Sequence, residues 1–304
     1  MTVLSDEFEF LETDAKRVGR TKPLPEVARF TVATERHGEL SGLEFGSGTP
    51  RLAFMHGAGL NAHTFDPTIL ALNVAAVSLD LPGHGRSSWR SDANYRPEVI
   101  APDVWPVIRA RSVTPRILIG QSLGGLTALA LAGAHAEGIQ HVIAIDITPG
   151  VEPDDGGSTI REFIAGRRTF DRIDEMIDRA IEFGIGFDRD ALRRGITLNT
   201  RIREDGQLEW THHLAHLMTL DDGDELLTDQ RGYSDLWASA EHFARQGGSL
   251  TLIRGSRGMV SDAQLDEWRS RFGTGHDFTL DAGHNVQEHA PRELAECIAS
   301  VVKL

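Results

Sequence analysis

Short apolar runs recur along the chain, and each ends at a turn rich in glycine or proline. The runs are Leu52–Met55, Ala75–Leu79, Ile117–Ile119, Val142–Ile147, Leu250–Ile253 and Phe278–Leu280. Helix-length stretches such as Leu123–Ala136 and Asp262–Arg271 separate several of them. Apolar strands that alternate with helices predict a mostly parallel sheet covered by helices on both faces, the α/β class. Ligands of such sheets bind beyond the carboxyl ends of the strands, where these turns lie.

The alternation stops between Val151 and Gly248, where the chain has the pattern of several helices and no clear strand. The predicted helices are Ser158–Arg168, Asp171–Phe183, Asp190–Leu198 and a run around Trp210–Leu220. Because the alternation resumes immediately afterwards, we interpret this stretch as a helical cap, or lid, inserted over the carboxyl edge of the sheet; a separate helical domain is the alternative. The predicted organisation is therefore a loose leader over 1–27, an α/β core over 28–150 and 248–304, and a cap over 151–247.

Composition narrows the classes of partner and the compartment. The 304 residues carry 45 acidic and 31 basic side chains, a formal charge of −14, which disfavours binding to nucleic acid or to an anionic membrane surface. The single cysteine, Cys297, excludes an intramolecular disulfide. The first ten residues lack the pattern of a signal peptide, and no apolar run approaches the roughly 20 residues that span a bilayer. We expect a cytoplasmic protein and leave its oligomeric state open, a homodimer included.

The strongest chemical signal is the pentapeptide Gly120-Gln121-Ser122-Leu123-Gly124. It follows an apolar strand and precedes a helix rich in small residues, so the serine is expected at the apex of a tight strand-to-helix turn. The start of the helix would place free backbone N–H groups and a positive dipole beside Ser122. A serine hydroxyl in this position is a candidate nucleophile.

A serine nucleophile needs a base and an oxyanion hole. The candidate base is His284, because it follows the last predicted strand and so lies at the same sheet edge. The N–H of Leu123, directly after the nucleophile, is one candidate oxyanion donor. The other is the N–H of Ala58, in the turn His56-Gly57-Ala58-Gly59.

Four motifs together resemble the α/β-hydrolase superfamily, in particular serine-esterase-like members with a helical cap. They are His56–Gly59, Asp80–Ser87 (Asp-Leu-Pro-Gly-His-Gly-Arg-Ser), Gly120–Gly125 and Gly283-His284. The resemblance covers about residues 28–150 and 248–304. It implies that Ser122 attacks an acyl carbon, that His284 moves the proton and that an acid orients His284. It also implies a structural role for the turn Asp80–Ser87.

Two residues are candidates for the acid. Family members most often place the acid in the turn after the strand that follows the cap. In this chain Gly258 stands at that position, and Asp262 comes a few residues later, as an apparent helix N-cap. Some esterase-like members place it instead at the end of the strand after the nucleophile helix, where Asp146 stands. A buried aspartate in an apolar strand needs a partner, and a histidine N–H would supply one. We therefore favour Asp146 and keep Asp262 as the alternative.

The predicted function is hydrolysis of an ester-like bond, a carboxylic ester or lactone, in a small to medium apolar substrate. The resemblance implies a Ser-His-Asp triad and an acyl-enzyme. Carbon–carbon bond hydrolysis and acyl transfer by the same triad stay open, as does a ligand-binding member of the fold without hydrolytic activity. We expect no cofactor, since no dinucleotide fingerprint is present, and no metal: His212 and His216 share a helical spacing but lack the glutamate of a metalloprotease motif.

Overall fold

A computed structural model describes residues 2–3, 6–36, 38–152, 163, 167–183, 185–186, 188–217 and 232–303. Its strands are β1 (Thr2–Val3), β2 (Val27–Ala33), β3 (Glu39–Phe45), β4 (Leu52–Met55), β5 (Ala76–Leu79), β6 (Arg116–Gln121), β7 (Ile139–Ile145), β8 (Thr169–Phe170), β9 (Thr200–Ile202), β10 (Leu208–Trp210), β11 (Ser249–Arg257) and β12 (Asp277–Gly283). Eight of them form one sheet in the order β12-β11-β7-β6-β4-β5-β3-β2. The pairs from β12 to β5 are parallel, and β3 and β2 extend the sheet antiparallel. The α/β class predicted from the sequence is confirmed.

Helices cover both faces of this sheet. The helices of the described residues are α1 (Leu11–Arg17), α2 (Asp66–Leu72), α3 (Pro97–Arg111), α4 (Leu123–Ala134), α5 (Ile173–Glu182), α6 (Arg189–Leu198), α7 (Leu214–Leu217), α8 (Leu236–Arg245), α9 (Asp262–Phe272), α10 (Val286–His289) and α11 (Pro291–Val302). Of these, α5 and α6 pack in a separate apolar cluster outside this sheet. Alternate residues of one strand face opposite layers: Ala53 and Met55 pack with the core on the α3 and α4 side, while Leu52 and Phe54 pack with that on the α2 and α11 side. Burial on both faces explains why the strand is continuously apolar.

The region predicted as an all-helical cap contains three strands of a small antiparallel sheet, whose fourth strand is β1, so the expectation of no strand is wrong. The sheet has the order β1-β9-β10-β8, and with α5 and α6 it encloses an apolar cluster around Phe170, Met176 and Trp210. Its strands have only two or three residues, too few to show an alternating pattern. Helices α5 and α6 match two predicted helices. In the run predicted around Trp210–Leu220, Trp210 ends β10 and Leu214–Leu217 form α7. Most of Ser158–Arg168, and residues 218–220 of the last predicted run, lie outside the described residues.

Two other parts of the chain differ from the predicted organisation. The 1–27 segment, expected to be a loose leader, contains α1, whose Leu11 and Ala15 are buried in the core beside α2. Helix α8 falls inside the range 151–247 predicted for the cap, yet it packs on α4 and β11 of the core. The packing of both helices on the core depends on contacts between distant residues, which a local pattern does not show. Among the described residues, no helix has both the length and the apolar character needed to cross a membrane.

Candidate active site

Ser122 occupies a strained turn between β6 and α4. Its backbone has φ 51° and ψ −120°, a combination that non-glycine residues rarely adopt. The turn is held because the Ser122 N–H donates to the carbonyl oxygen of Ile145 at 3.1 Å. The helix also lies close to β4: a Cβ on Gly124 would come 2.1 Å from the carbonyl oxygen of Met55. The predicted strand–turn–helix context of the pentapeptide is therefore present, with the serine side chain at the carboxyl edge of the sheet.

The structure brings Asp146 and His284 together from two other strand ends. Asp146 follows β7 and is fully buried, and His284 follows β12. The ring Nδ1–H of His284 donates to Asp146 Oδ2 at 2.8 Å. Two backbone groups also donate to this carboxylate: Gly255 N–H to Oδ1 at 3.0 Å and Met259 N–H to Oδ2 at 2.7 Å. Three donors fix the carboxylate in position and offset the cost of burying its charge.

The alternative acid, Asp262, lies in a different environment. Its side chain is 89% exposed and pairs with Arg254 Nη2 at 2.6 Å. The expectation that Asp262 caps the following helix is wrong by one residue: Ser261 is the N-cap of α9 and forms a capping box with Gln264. At the usual family position, a Cβ on Gly258 would come 2.1 Å from Asp146 Oδ1. The Asp146 carboxylate therefore fills the space that a side chain at position 258 would need.

Sequence reasoning missed a contact of Gln121. Its amide Nε2 lies 3.0 Å from His284 Nε2 and 3.2 Å from the His284 carbonyl oxygen. The hydroxyl of Ser122 makes no hydrogen bond within the described part of the chain, and the His284 Nε2 atom contacts the Gln121 amide rather than the serine. The signal available in the sequence was the position of Gln121, a polar residue at the end of a buried strand and directly before the serine.

The two segments that contain the predicted oxyanion donors both come close to Ser122. Leu123 is the first residue of α4, and the N–H of a first helical residue has no partner within its helix. The turn that holds Ala58 passes close to the serine, since a Cβ on Gly57 would lie 3.1 Å from Ser122 Cβ. Buried His56 braces this turn: its Nδ1–H donates to the Gly57 carbonyl at 2.7 Å, and its Nε2 accepts the Leu81 N–H at 3.0 Å.

A profile described as "Alpha/beta hydrolase family" matches residues 52–297. The chain belongs to the alpha/beta hydrolase family. The hydrolase is 33% identical over 306 residues to the esterase Rv0045c of Mycobacterium tuberculosis, a match that covers 98% of this chain and 96% of the esterase. A crystal structure of that esterase superimposes with a TM-score of 0.81 at 29% identity, covering the whole of both chains. The family resemblance inferred from the four motifs is thus confirmed.

A second relative matches a shorter part of the hydrolase. The 2-(acetamidomethylene)succinate hydrolase of Mesorhizobium japonicum is 30% identical over 132 residues, 43% of this chain and 47% of that enzyme. A crystal structure of E-2-(acetamidomethylene)succinate hydrolase aligns with a TM-score of 0.77 at 24% identity, over 92% of this chain and all of the other. At that identity the structural likeness shows the shared fold.

The turn Asp80–Ser87 of the hydrolase braces the edge of the site. Although burial raises the pKa of Asp80, the ion pair with Arg29 at 2.6 Å and the Ala62 N–H lower it to about 2. The same carboxylate accepts the N–H of Arg86 at 3.1 Å. Asp80 thus ties the turn to the segment that follows the oxyanion turn, which agrees with the structural role implied by the resemblance.

The cap of the hydrolase meets this turn through histidines. The His213 N–H donates to the carbonyl oxygen of Gly83 at 2.7 Å, and the His213 ring lies 4.4 Å from the ring of Trp89. His212 is buried, and burial lowers its pKa to about 3, as it lowers that of His56 to about 4. These rings are therefore neutral at pH 7. No group of three potential metal ligands occurs among the residues that the structure describes, and His212 Nδ1 accepts the Ala215 N–H instead.

Proposed function

We propose that this hydrolase cleaves a carboxylic ester of small to medium size through Ser122, His284 and Asp146. The observation that carries the proposal is the hydrogen bond between buried Asp146 and His284, at the same sheet edge as strained Ser122. Its similarity along the full length to an esterase supports the ester as the bond cleaved. The proposal includes a preference for apolar substrates, to be measured with esters of rising chain length.

In the proposed mechanism, His284 Nε2 takes the proton of the Ser122 hydroxyl as Oγ attacks the ester carbonyl carbon. The tetrahedral intermediate carries its negative charge on the former carbonyl oxygen, towards which the N–H groups of Leu123 and Ala58 would donate. The intermediate collapses to an acyl-enzyme when the alkoxide leaves with the proton from His284. Water, activated by the same histidine, then hydrolyses the acyl-enzyme. Asp146 keeps its negative charge throughout, holds the Nδ1–H tautomer and stabilises the imidazolium.

A second candidate is hydrolysis of a bond other than a carboxylic ester by the same residues. The similarity to 2-(acetamidomethylene)succinate hydrolase over part of the chain favours it. A substrate panel separates the two candidates: p-nitrophenyl esters of rising chain length, lactones and phthalate monoesters on one side, and carbon–carbon and amide substrates on the other. Higher kcat/KM on the esters supports the first candidate.

The experiment that tests the nucleophile is Ser122→Ala, with labelling by a fluorophosphonate probe. We expect turnover of p-nitrophenyl acetate to fall on the order of 10⁴-fold or more and labelling to vanish, because no other group would form the acyl-enzyme. The thermal midpoint should stay near that of the wild type. Activity above a tenth of the wild type would remove Ser122 from the mechanism. Labelled wild-type protein without turnover of any substrate would favour a ligand-binding member of the fold.

A further inference from the structure

The side chain of Gln121 is held between the two loops that flank the serine. It is 1% exposed. On one side its amide Nε2 approaches His284 Nε2 at 3.0 Å and the His284 carbonyl oxygen at 3.2 Å. On the other side its carbonyl Oε1 points towards the oxyanion turn, where a Cβ on Gly57 would come within 2.1 Å of it. A residue larger than glycine at position 57 would therefore clash with the Gln121 side chain.

The orientation of the amide follows from its partners. The His284 carbonyl oxygen can only accept a hydrogen bond, so the NH₂ end of Gln121 must face it. An NH₂ group only donates, and His284 Nε2 at 3.0 Å must therefore present its lone pair. This agrees with the opposite side of the ring, where Nδ1–H donates to Asp146. The imidazole is thus neutral, with one lone pair on Nε2, and Gln121 occupies it.

The same lone pair would accept the proton of Ser122. A neutral imidazole has one such acceptor, so Gln121 and Ser122 compete for it, and in this structure Gln121 holds it. The Gln121 Oε1 atom is buried without a hydrogen-bond partner among the described residues. An unpaired buried carbonyl is destabilising, and an apolar side chain of equal size would avoid that cost. Position 121 therefore holds a hydrogen-bond donor although its unpaired carbonyl lowers the stability of the folded protein.

We infer that Gln121 is a positioning residue that keeps the resting His284 disengaged from Ser122. The inference rests on the proposed role of His284 as the base. When substrate binds, the Gln121–His284 hydrogen bond breaks and the Ser122 hydroxyl takes its place at Nε2. The free-energy difference between the resting and the reactive arrangement is then about the net strength of one hydrogen bond. Removing the donor should leave the histidine free to engage the serine before substrate arrives.

The test is the rate of fluorophosphonate labelling, in which a serine–phosphorus bond forms, fluoride leaves and the serine proton passes to His284. Gln121→Met keeps the length of the side chain and removes the donor, and we expect labelling to be about threefold to tenfold faster than in the wild type. Gln121→Glu keeps the shape but offers an acceptor, which would hold Nε2 in its protonated form, so labelling should be slower than in the wild type. The matched control, Gln246→Met, changes an exposed glutamine at the end of α8 and should leave the rate unchanged.

The order Met, wild type, Glu supports the inference, and any other order overturns it. A residue that only fills space would slow labelling in both variants or in neither. If Gln121→Met fails to fold, an NMR measurement on the wild type decides. The side-chain amide protons of Gln121, assigned by their absence in Gln121→Glu, should shift when Ser122 is labelled, because His284 then turns to the adduct. Unshifted amide protons would overturn the inference. Labelling that survives in Ser122→Ala would instead refute the proposed function itself.

Discussion

The space beside the Asp146 carboxylate makes Gly258→Ala a sharp test of which acid orients His284. The added Cβ would lie 2.1 Å from Oδ1 and 2.2 Å from Oδ2 of Asp146. A carbon–oxygen contact needs more than about 3 Å, so the carboxylate must move by about 1 Å. The 2.8 Å bond from His284 Nδ1 would then lengthen beyond hydrogen-bond range.

The expected effect of Gly258→Ala is large, because the displaced carboxylate loses charge-assisted bonds that contribute about 1.5–3 kcal/mol each. With the imidazole no longer oriented, kcat on p-nitrophenyl acetate should fall by about 10³–10⁴, as it does when a triad acid loses its charge. The matched control is Gly195→Ala in α6, where a Cβ has no neighbour within 4 Å. That change should leave kcat unaltered and stabilise the helix by about 1 kcal/mol.

A paired variant separates a misplaced acid from a damaged loop. A Cβ at position 258 lies 2.4 Å from Asp146 Cγ, so a carboxylate attached there reaches the volume that the Asp146 carboxylate occupies. Asp146 has φ 49°, a conformation that glycine adopts freely. The double variant Asp146→Gly/Gly258→Asp should therefore recover at least about tenfold in kcat over Asp146→Gly. If Gly258→Ala keeps kcat within threefold of the wild type, the carboxylate at Asp146 is not the orienting acid.

Further variants test the site and its support. Asp146→Asn should lower kcat by about 10³–10⁴, while Asp262→Asn should stay within a few-fold, since exposed Asp262 contacts Arg254 rather than the histidine; the reverse result would make Asp262 the acid. Burial lowers the pKa of His212 to about 3, so below about pH 6.5 the unfolded protein binds a proton that the folded protein does not, and the free energy of unfolding falls, by about 2 kcal/mol at pH 5. Urea unfolding at pH 7.5 and pH 5 measures this loss, and His212→Phe should reduce the difference between the two free energies of unfolding by that amount. An unchanged difference would contradict the prediction. Arg194 pairs with buried Asp14 at 2.8 Å and also lies 3.5 Å from Asp66 and 3.6 Å from Glu288. Arg194→Met should lower the free energy of unfolding by about 3–5 kcal/mol, and Arg194→Met/Asp14→Leu should recover part of that loss; equal losses in both would show that the pair with Asp14 is not the cause.

The sequence by itself determined the features that depend on neighbours along the chain. Strands such as Leu52–Met55 are apolar at every position because both faces are buried, and that pattern is visible without a structure. The turn around Ser122 is local as well, since the end of β6, Ser122 and the start of α4 follow one another directly in the chain. The order of these elements was enough to place the chain in its family and to put the candidate serine and histidine at one sheet edge.

Tertiary structure decided what depends on residues far apart in sequence. Asp146 and His284 are 138 positions apart, and only folding shows that they share a hydrogen bond while Asp262 faces solvent. The contact of Gln121 with His284 spans 163 positions; the sequence marks Gln121 as a polar residue at the end of a buried strand but does not show which partner it meets. Strands β8 to β10 are too short to be recognised alone, because their stability comes from pairing with one another and from the apolar cluster beneath them. Local periodicity records which faces are buried, whereas the pairing of polar groups across the sheet edge is fixed only when the strands are brought side by side.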